Sequence, residues 1–124
     1  MDYDVTAFIN EYTRRYVAQD VEGVTDLCLA PFLAVREGRP IPMPDRAAIR
    51  DHFATVIGNY QKAGYTSFAP VEIATHPMGE KSAFVTVRWH AMNADGALAR
   101  DSETTYLVLM TESGWRFLSY TNHF

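Results

Sequence analysis

Four histidines, at positions 52, 76, 90 and 123, and a set of tyrosines at helical spacing are the groups in this chain that could move a proton. The histidines lie at no spacing that a metal ion would select, so scattered core or surface imidazoles are expected and no metal is predicted. His76 falls in a run, His76-Pro77-Met78-Gly79, that reads as a turn. His52 stands beside Phe53 on a helical pattern, where its imidazole either serves a pocket rim as an acid or base or flanks the core. His123, at the polar end of the last strand pattern, carries the same two readings. Tyr12, Tyr16 and Tyr60 occupy apolar helix faces, where a packed ring with a satisfied hydroxyl is the commoner role. Glu37 precedes Gly38 and reads as a solvated turn residue, while Asp101 and Glu103 read as the solvated or interfacial face of their strand. There is no Gly-rich phosphate loop, no His-Glu-x-x-His helix, no cysteine pair and no nucleophile elbow, and no cofactor is expected.

Two long amphipathic helices and a terminal run of strands must position these groups. Val5, Phe8, Ile9, Tyr12 and Tyr16 fall at helical spacing, with Asp2 or Asp4 as the cap and Arg14 and Arg15 near the C-terminal end. Asp20 opens a second, short helix whose inner residues are Val24, Leu27 and Cys28, weakened by Gly23 and ended by Pro31. From Phe32 to Pro44 the pattern is irregular. Phe32 to Val35 suits a short strand, and Pro40, Pro42 and Pro44 forbid a central one. Asp45 caps a third helix carrying Ile49, Phe53, Val56, Ile57 and Tyr60, which Gly64 terminates. Strands follow at Tyr65 to Thr75, Phe84 to Met92, Ser102 to Met110 and Trp115 to His123.

The strand faces decide what an enclosed space would see. Val85, Val87 and Trp89 form the apolar face of their strand, and Thr86, Arg88 and His90 the other, because burying Arg88 unpaired is costly. In the last strand the expected inward set is Trp115, Phe117, Ser119, Thr121 and His123. Thr105, Leu107 and Leu109 are then outward and too apolar to leave in water, which predicts a homodimer through that surface.

At 124 residues the chain reads as one domain spanning 1–124, large enough to bury a core without staples. The formal charge of -4, with no dense basic face, argues against nucleic acid. Cys28 has no partner for an internal disulfide and packs as a small hydrophobe in a reducing compartment. The acidic start lacks the layout of a signal peptide, and no apolar run approaches membrane-spanning length, so the expected location is cytoplasmic with no membrane partner.

Helices first and a curled sheet last make an α+β cone of about three helices on a strongly curved, mostly antiparallel sheet. This order of elements resembles the nuclear transport factor 2-like superfamily, which includes ketosteroid isomerases and SnoaL-like polyketide cyclases. Arg15-Tyr16-Val17-Ala18 and Ala47-Ala48-Ile49-Arg50 are similar to the corresponding isomerase helices, and Gly114-Trp115-Arg116-Phe117 enters the last strand in the same way. The resemblance implies Tyr16 as an oxyanion donor and Glu37 near the place of the proton-shuttling carboxylate. It places Tyr106 where the isomerases carry a protonated aspartate. A neutral tyrosine hydroxyl can donate there, but the missing acid sets the chain apart from steroid isomerisation. It further implies a pocket for a small hydrophobic or amphipathic molecule, lined by Tyr12, Phe53, Val87, Trp89, Phe117 and Thr121, with His52 or His123 as other proton carriers. Two classes stay open: acid–base chemistry on a hydrophobic carbonyl compound, or a binding or association module without turnover.

Overall fold

The computed structural model describes residues 4–123, and begins with helix α1, Val5–Val17, capped by Asp4, whose carboxylate accepts the Ala7 N–H at 3.1 Å. Asp2, the other candidate cap, lies outside the described residues. Helix α2, Val21–Thr25, is short, and its cap Asp20 accepts the Gly23 N–H at 2.9 Å. Helix α3, Arg46–Lys62, starts under Asp45, which accepts from Ala48 N–H, and stops before Gly64 at φ +89°, a conformation that favours glycine. Glu22 on α2 pairs with Arg46 and Arg50 on α3, tying the two helices together.

Six strands form one sheet in the order β2-β1-β6-β5-β4-β3. They are β1 Cys28–Arg36, β2 Arg39–Met43, β3 Tyr65–Met78, β4 Ser82–Asn93, β5 Leu98–Thr111 and β6 Gly114–His123. Every neighbouring pair is antiparallel except β1 and β6, which run parallel. The prolines of β2 keep it at a sheet edge, as their missing N–H groups require. The three helices pack on one face of this curled sheet. Ile9 and Tyr12 of α1 and Ile49, Phe53 and Ile57 of α3 share a core with Val85, Val87, Val108 and Phe117.

Three expectations need correction. Pro31 does not end α2, which stops at Thr25; Cys28 instead starts β1, and Pro31 lies where the pairing of β1 with β6 changes register between Cys28 and Leu33. A strand tolerates proline at such an irregularity because no regular ladder bond is asked of it. His76, Pro77 and Met78 extend β3 rather than turning the chain, and the turn comes at residues 79–81. The third correction concerns β6, where Val108 faces Phe117 but Leu107 faces Ser119, so Leu118 is an extra residue. This bulge reverses the alternation beyond it. Phe117 is inward as expected, but the inward residues that follow are Tyr120 and Asn122. Ser119, Thr121 and His123 therefore share the other side, where Thr121 and His123 are exposed. Among the described residues no helix is long and apolar enough to cross a membrane.

Candidate functional site

Between α1, α3 and the inner face of the sheet lies an open-mouthed cavity. Its wall takes Tyr12, Thr13 and Tyr16 from α1, Val56 and Tyr60 from α3, and Arg36 from the end of β1. The sheet adds Phe68, Trp89, Ala91, Arg100, Ser102, Thr104, Tyr106, Tyr120 and Asn122. The apolar floor grades into hydroxyls because the inward set of β5, Val108, Tyr106, Thr104 and Ser102, becomes more polar toward the mouth.

Aromatic rings hold the inner end in place. Tyr12 contacts Phe117 at 4.8 Å between centroids, Tyr106 at 5.9 Å and Trp89 at 6.1 Å, all edge to face. Burial pushes the Tyr12 and Tyr16 hydroxyls well above the usual tyrosine value, with neighbouring tyrosines adding to the rise. Burial raises Tyr106 too, against hydrogen bonds from Tyr12, Trp89 and Thr104 that favour its anion. All three are neutral hydrogen-bond donors at pH 7.

A second cluster stands at the β1–β6 side. His52 Nε2 lies 2.6 Å from the Tyr120 hydroxyl, and Arg36 Nη1 donates to the same oxygen at 3.2 Å. With Arg36 donating to Tyr120, the hydroxyl proton is free to point at His52, which then acts as acceptor. Burial, and next the Arg36 charge, hold the His52 pKa below its usual value, so the imidazole is neutral at pH 7. Burial raises Tyr120, and Arg36 only partly offsets this. Burial also works against the Arg36 charge, but hydrogen bonds to Tyr120 and Tyr60 outweigh it and keep the guanidinium ionised. No aspartate or glutamate lines the cavity among the described residues, and none pairs with Arg36.

The residues predicted from sequence divide accordingly. Tyr12, Tyr16, Trp89 and Tyr106 line the cavity. Phe53, Val87 and Phe117 are buried in the packed core beside it, and Phe53 touches the Tyr120 ring at 6.3 Å. His52 reaches the wall only through Tyr120. Glu37 is exposed in the β1–β2 turn at φ 53°, one residue out of step with the inward Phe32, Ala34 and Arg36. His123 bonds Thr105 Oγ1 at 2.8 Å on the outer face, near Glu103, and Thr121 lies on that face as well. The bulge at Leu118 is the reason for both displacements. Burial pushes the Cys28 thiol up to about 12, so it stays protonated and packs against α2 through the Val24 carbonyl.

Sequence reasoning missed Arg36 and Tyr120. Arg36 carried a usable signal, the period-two run Phe32, Ala34, Arg36. Tyr120 carried none, because its face depends on an irregularity in the partner register. No group of three or more histidine, cysteine, aspartate or glutamate side chains converges to hold a metal among the described residues.

The family described as NTF2-like protein (DUF6841) matches residues 2–124 of the chain. No curated protein sequence matches it. Among solved structures, a proposed aromatic ring hydroxylase from Novosphingobium aromaticivorans superposes with TM-score 0.74 at 19% identity, covering 97% of this chain and 85% of that one. A proposed dehydratase of the NTF2-like family from Streptomyces avermitilis gives TM-score 0.73 at 16% identity, covering 95% and 91%. A proposed calcium/calmodulin-dependent protein kinase II association domain from Xanthomonas campestris gives 0.70 at 11% identity, covering 98% and 95%. At these identities the likeness is one of fold.

Proposed function

Because the chain belongs to an NTF2-like family, in which one cone serves different chemistries, we propose from its own cavity that it is an acid–base enzyme acting on a small hydrophobic carbonyl compound. The observation that carries this reading is the 2.6 Å contact between the His52 imidazole and the Tyr120 hydroxyl, with Tyr120 on the cavity wall. A proton leaving the carbon next to the carbonyl passes to the Tyr120 oxygen as the Tyr120 proton passes to His52 Nε2. An enolate and an imidazolium result. Tyr16 and Tyr106, neutral donors in the same wall, hydrogen-bond the enolate oxygen as its charge develops. The imidazolium then returns its proton through Tyr120 to carbon, completing an isomerisation or exchange. The proposed dehydratase among the fold relatives fits such chemistry.

Exchange in deuterated water tests the relay without knowledge of the natural substrate. Proton NMR of 2-tetralone should show enzyme-dependent loss of the signal next to the carbonyl. Tyr120→Phe and His52→Gln should each slow it roughly 10²–10⁴-fold, the usual worth of a positioned acid or base. Wild-type exchange at the buffer rate would favour the other reading, a module that binds without turnover, to which the lack of a lining carboxylate lends support.

A homodimer through the outer sheet face belongs to the same proposal. Phe84, 43% exposed, stands opposite Leu107 in the β4–β5 register, so an apolar strip runs across that face.

A further inference from the structure

Resting on the reading of the cavity as a carbonyl site, we propose that its ligand also carries a carboxylate, and that the Arg36 guanidinium is the group that binds it. A half-buried arginine normally meets an acid, because removing the charge from water has to be offset by a counter-charge. Arg36 meets two phenol oxygens instead, Tyr120 at 3.2 Å and Tyr60, and the described wall offers no acid at all. Two hydroxyls satisfy hydrogen-bonding positions but leave the charge uncompensated. A guanidinium presents five N–H donors in a fork, so it has donors to spare for a carboxylate.

The surroundings fit an anion further. Ser102, Thr104 and Asn122 supply uncharged polar atoms nearby, whereas the opposite end of the cavity is aromatic. A ligand with an aromatic or aliphatic body, a carbonyl and an acid group, that is, a hydrophobic keto acid, matches all three zones. Its acid would lie against Arg36 and its body against Tyr12, Trp89 and Phe68. A neutral ketone would leave the guanidinium without a counter-charge when it filled the cavity and expelled water.

Calorimetric titration with 3-benzoylpropionate and with its primary amide separates charge from shape. The acid should bind about tenfold tighter or more, as expected when a charge-assisted bidentate contact replaces a neutral one. The preference should collapse in Arg36→Gln and weaken in Arg36→Lys, which keeps the charge and loses the fork. With the wild-type protein, added salt should weaken the acid and leave the amide unchanged, a readout independent of how either variant folds. Equal affinity for acid and amide, or a preference that survives in a folded Arg36→Gln, overturns the anion assignment. So does failure of both ligands to bind while 2-tetralone still exchanges, and in that case the acid–base reading stands without it. Tight, arginine-dependent binding of the acid with no exchange of any ketone upholds the anion site and removes the enzyme.

Discussion

On the outer face of the sheet Arg88 meets Asp101 at 2.7 Å and Glu72 at 3.5 Å, while on the inner face Arg36 meets only tyrosine hydroxyls. Both arginines sit on strands of one sheet, and both are partly buried. The outer cluster is self-sufficient: His90 approaches Asp101, His123 approaches Glu103, and each positive or titratable group has an acid beside it. The inner cluster has hydrogen-bond partners but no acid among the described residues. Exposed pairs such as Arg88–Asp101 are screened by solvent, so their arrangement says little about stability. They serve as a reference, because the Arg88 charge on this sheet has acids beside it. Among the described residues the wall around Arg36 holds no aspartate or glutamate, and a site of that kind is suited to a ligand that brings its own counter-charge.

The contrast can be sharpened by substitution, and the largest effect belongs to the packed end of the inner face. Phe117 is 2% exposed and its ring touches Phe8, Tyr12 and Tyr106. Phe117→Ala should cost about 3–5 kcal/mol in urea denaturation, because rings held from three sides cannot close the space. A loss under about 1 kcal/mol would mean that this end is as loosely packed as the cavity beside it.

An intermediate effect belongs to the outer face. If a second copy covers the Phe84–Leu107 strip, Leu107→Lys should yield a monomer or insoluble protein by light scattering. A wild-type protein that is already a monomer at micromolar concentration removes the dimer and leaves the outer face as solvent-facing surface.

The smallest effect is in titration. The folded pKa of His52 lies below its ordinary value of 6.5, chiefly through burial and then through Arg36. Its neutral form therefore contributes stability that is present above 6.5 and lost as pH falls through the lowered value. An NMR titration of the ring should place the midpoint below 6.5, and Arg36→Gln should raise it only part of the way back. A midpoint at or above 6.5 would show that the inner cluster is more open to water than the contacts imply.

How much of this was legible in the sequence depends on the distance over which each feature is decided. Helices α1 and α3 are local objects. Asp4 and Asp45 cap them, and Ile9, Tyr12, Ile49, Phe53 and Ile57 recur at helical spacing, so one pass along the chain finds both. The inward face of β4 is nearly as local, since Val85, Val87 and Trp89 alternate without interruption. The start of β1 is not: Leu27 and Cys28 extend the periodicity of α2, and only pairing with β6 makes Cys28 a strand residue. The site suffered most, because Arg36, Tyr120 and Asn122 lie beyond irregularities. Tyr16 and Tyr106 are on regular elements and both line the cavity. Arg36 was hidden by its neighbour Glu37, whose carboxylate suggests chemistry by type while its exposed turn, at φ 53°, points to none.

The single extra residue at Leu118 has a consequence for how such a cavity diverges. Strand β6 is written in two phases: up to Phe117 one set of alternate positions faces the helices, and after Leu118 the other set does. The cavity inventory is thus set by where the phase changes as well as by which side chains the strand carries. Straightening the strand through that point, with no bulge, would exchange Tyr120 and Asn122 for Ser119, Thr121 and His123 with no substitution at any of the five. Gain or loss of a bulge, ordinarily a local irregularity of a ladder, becomes here a means of swapping one set of polar groups for another. Comparison of relatives by aligned position would pass over such a swap, whereas comparison by phase would detect it.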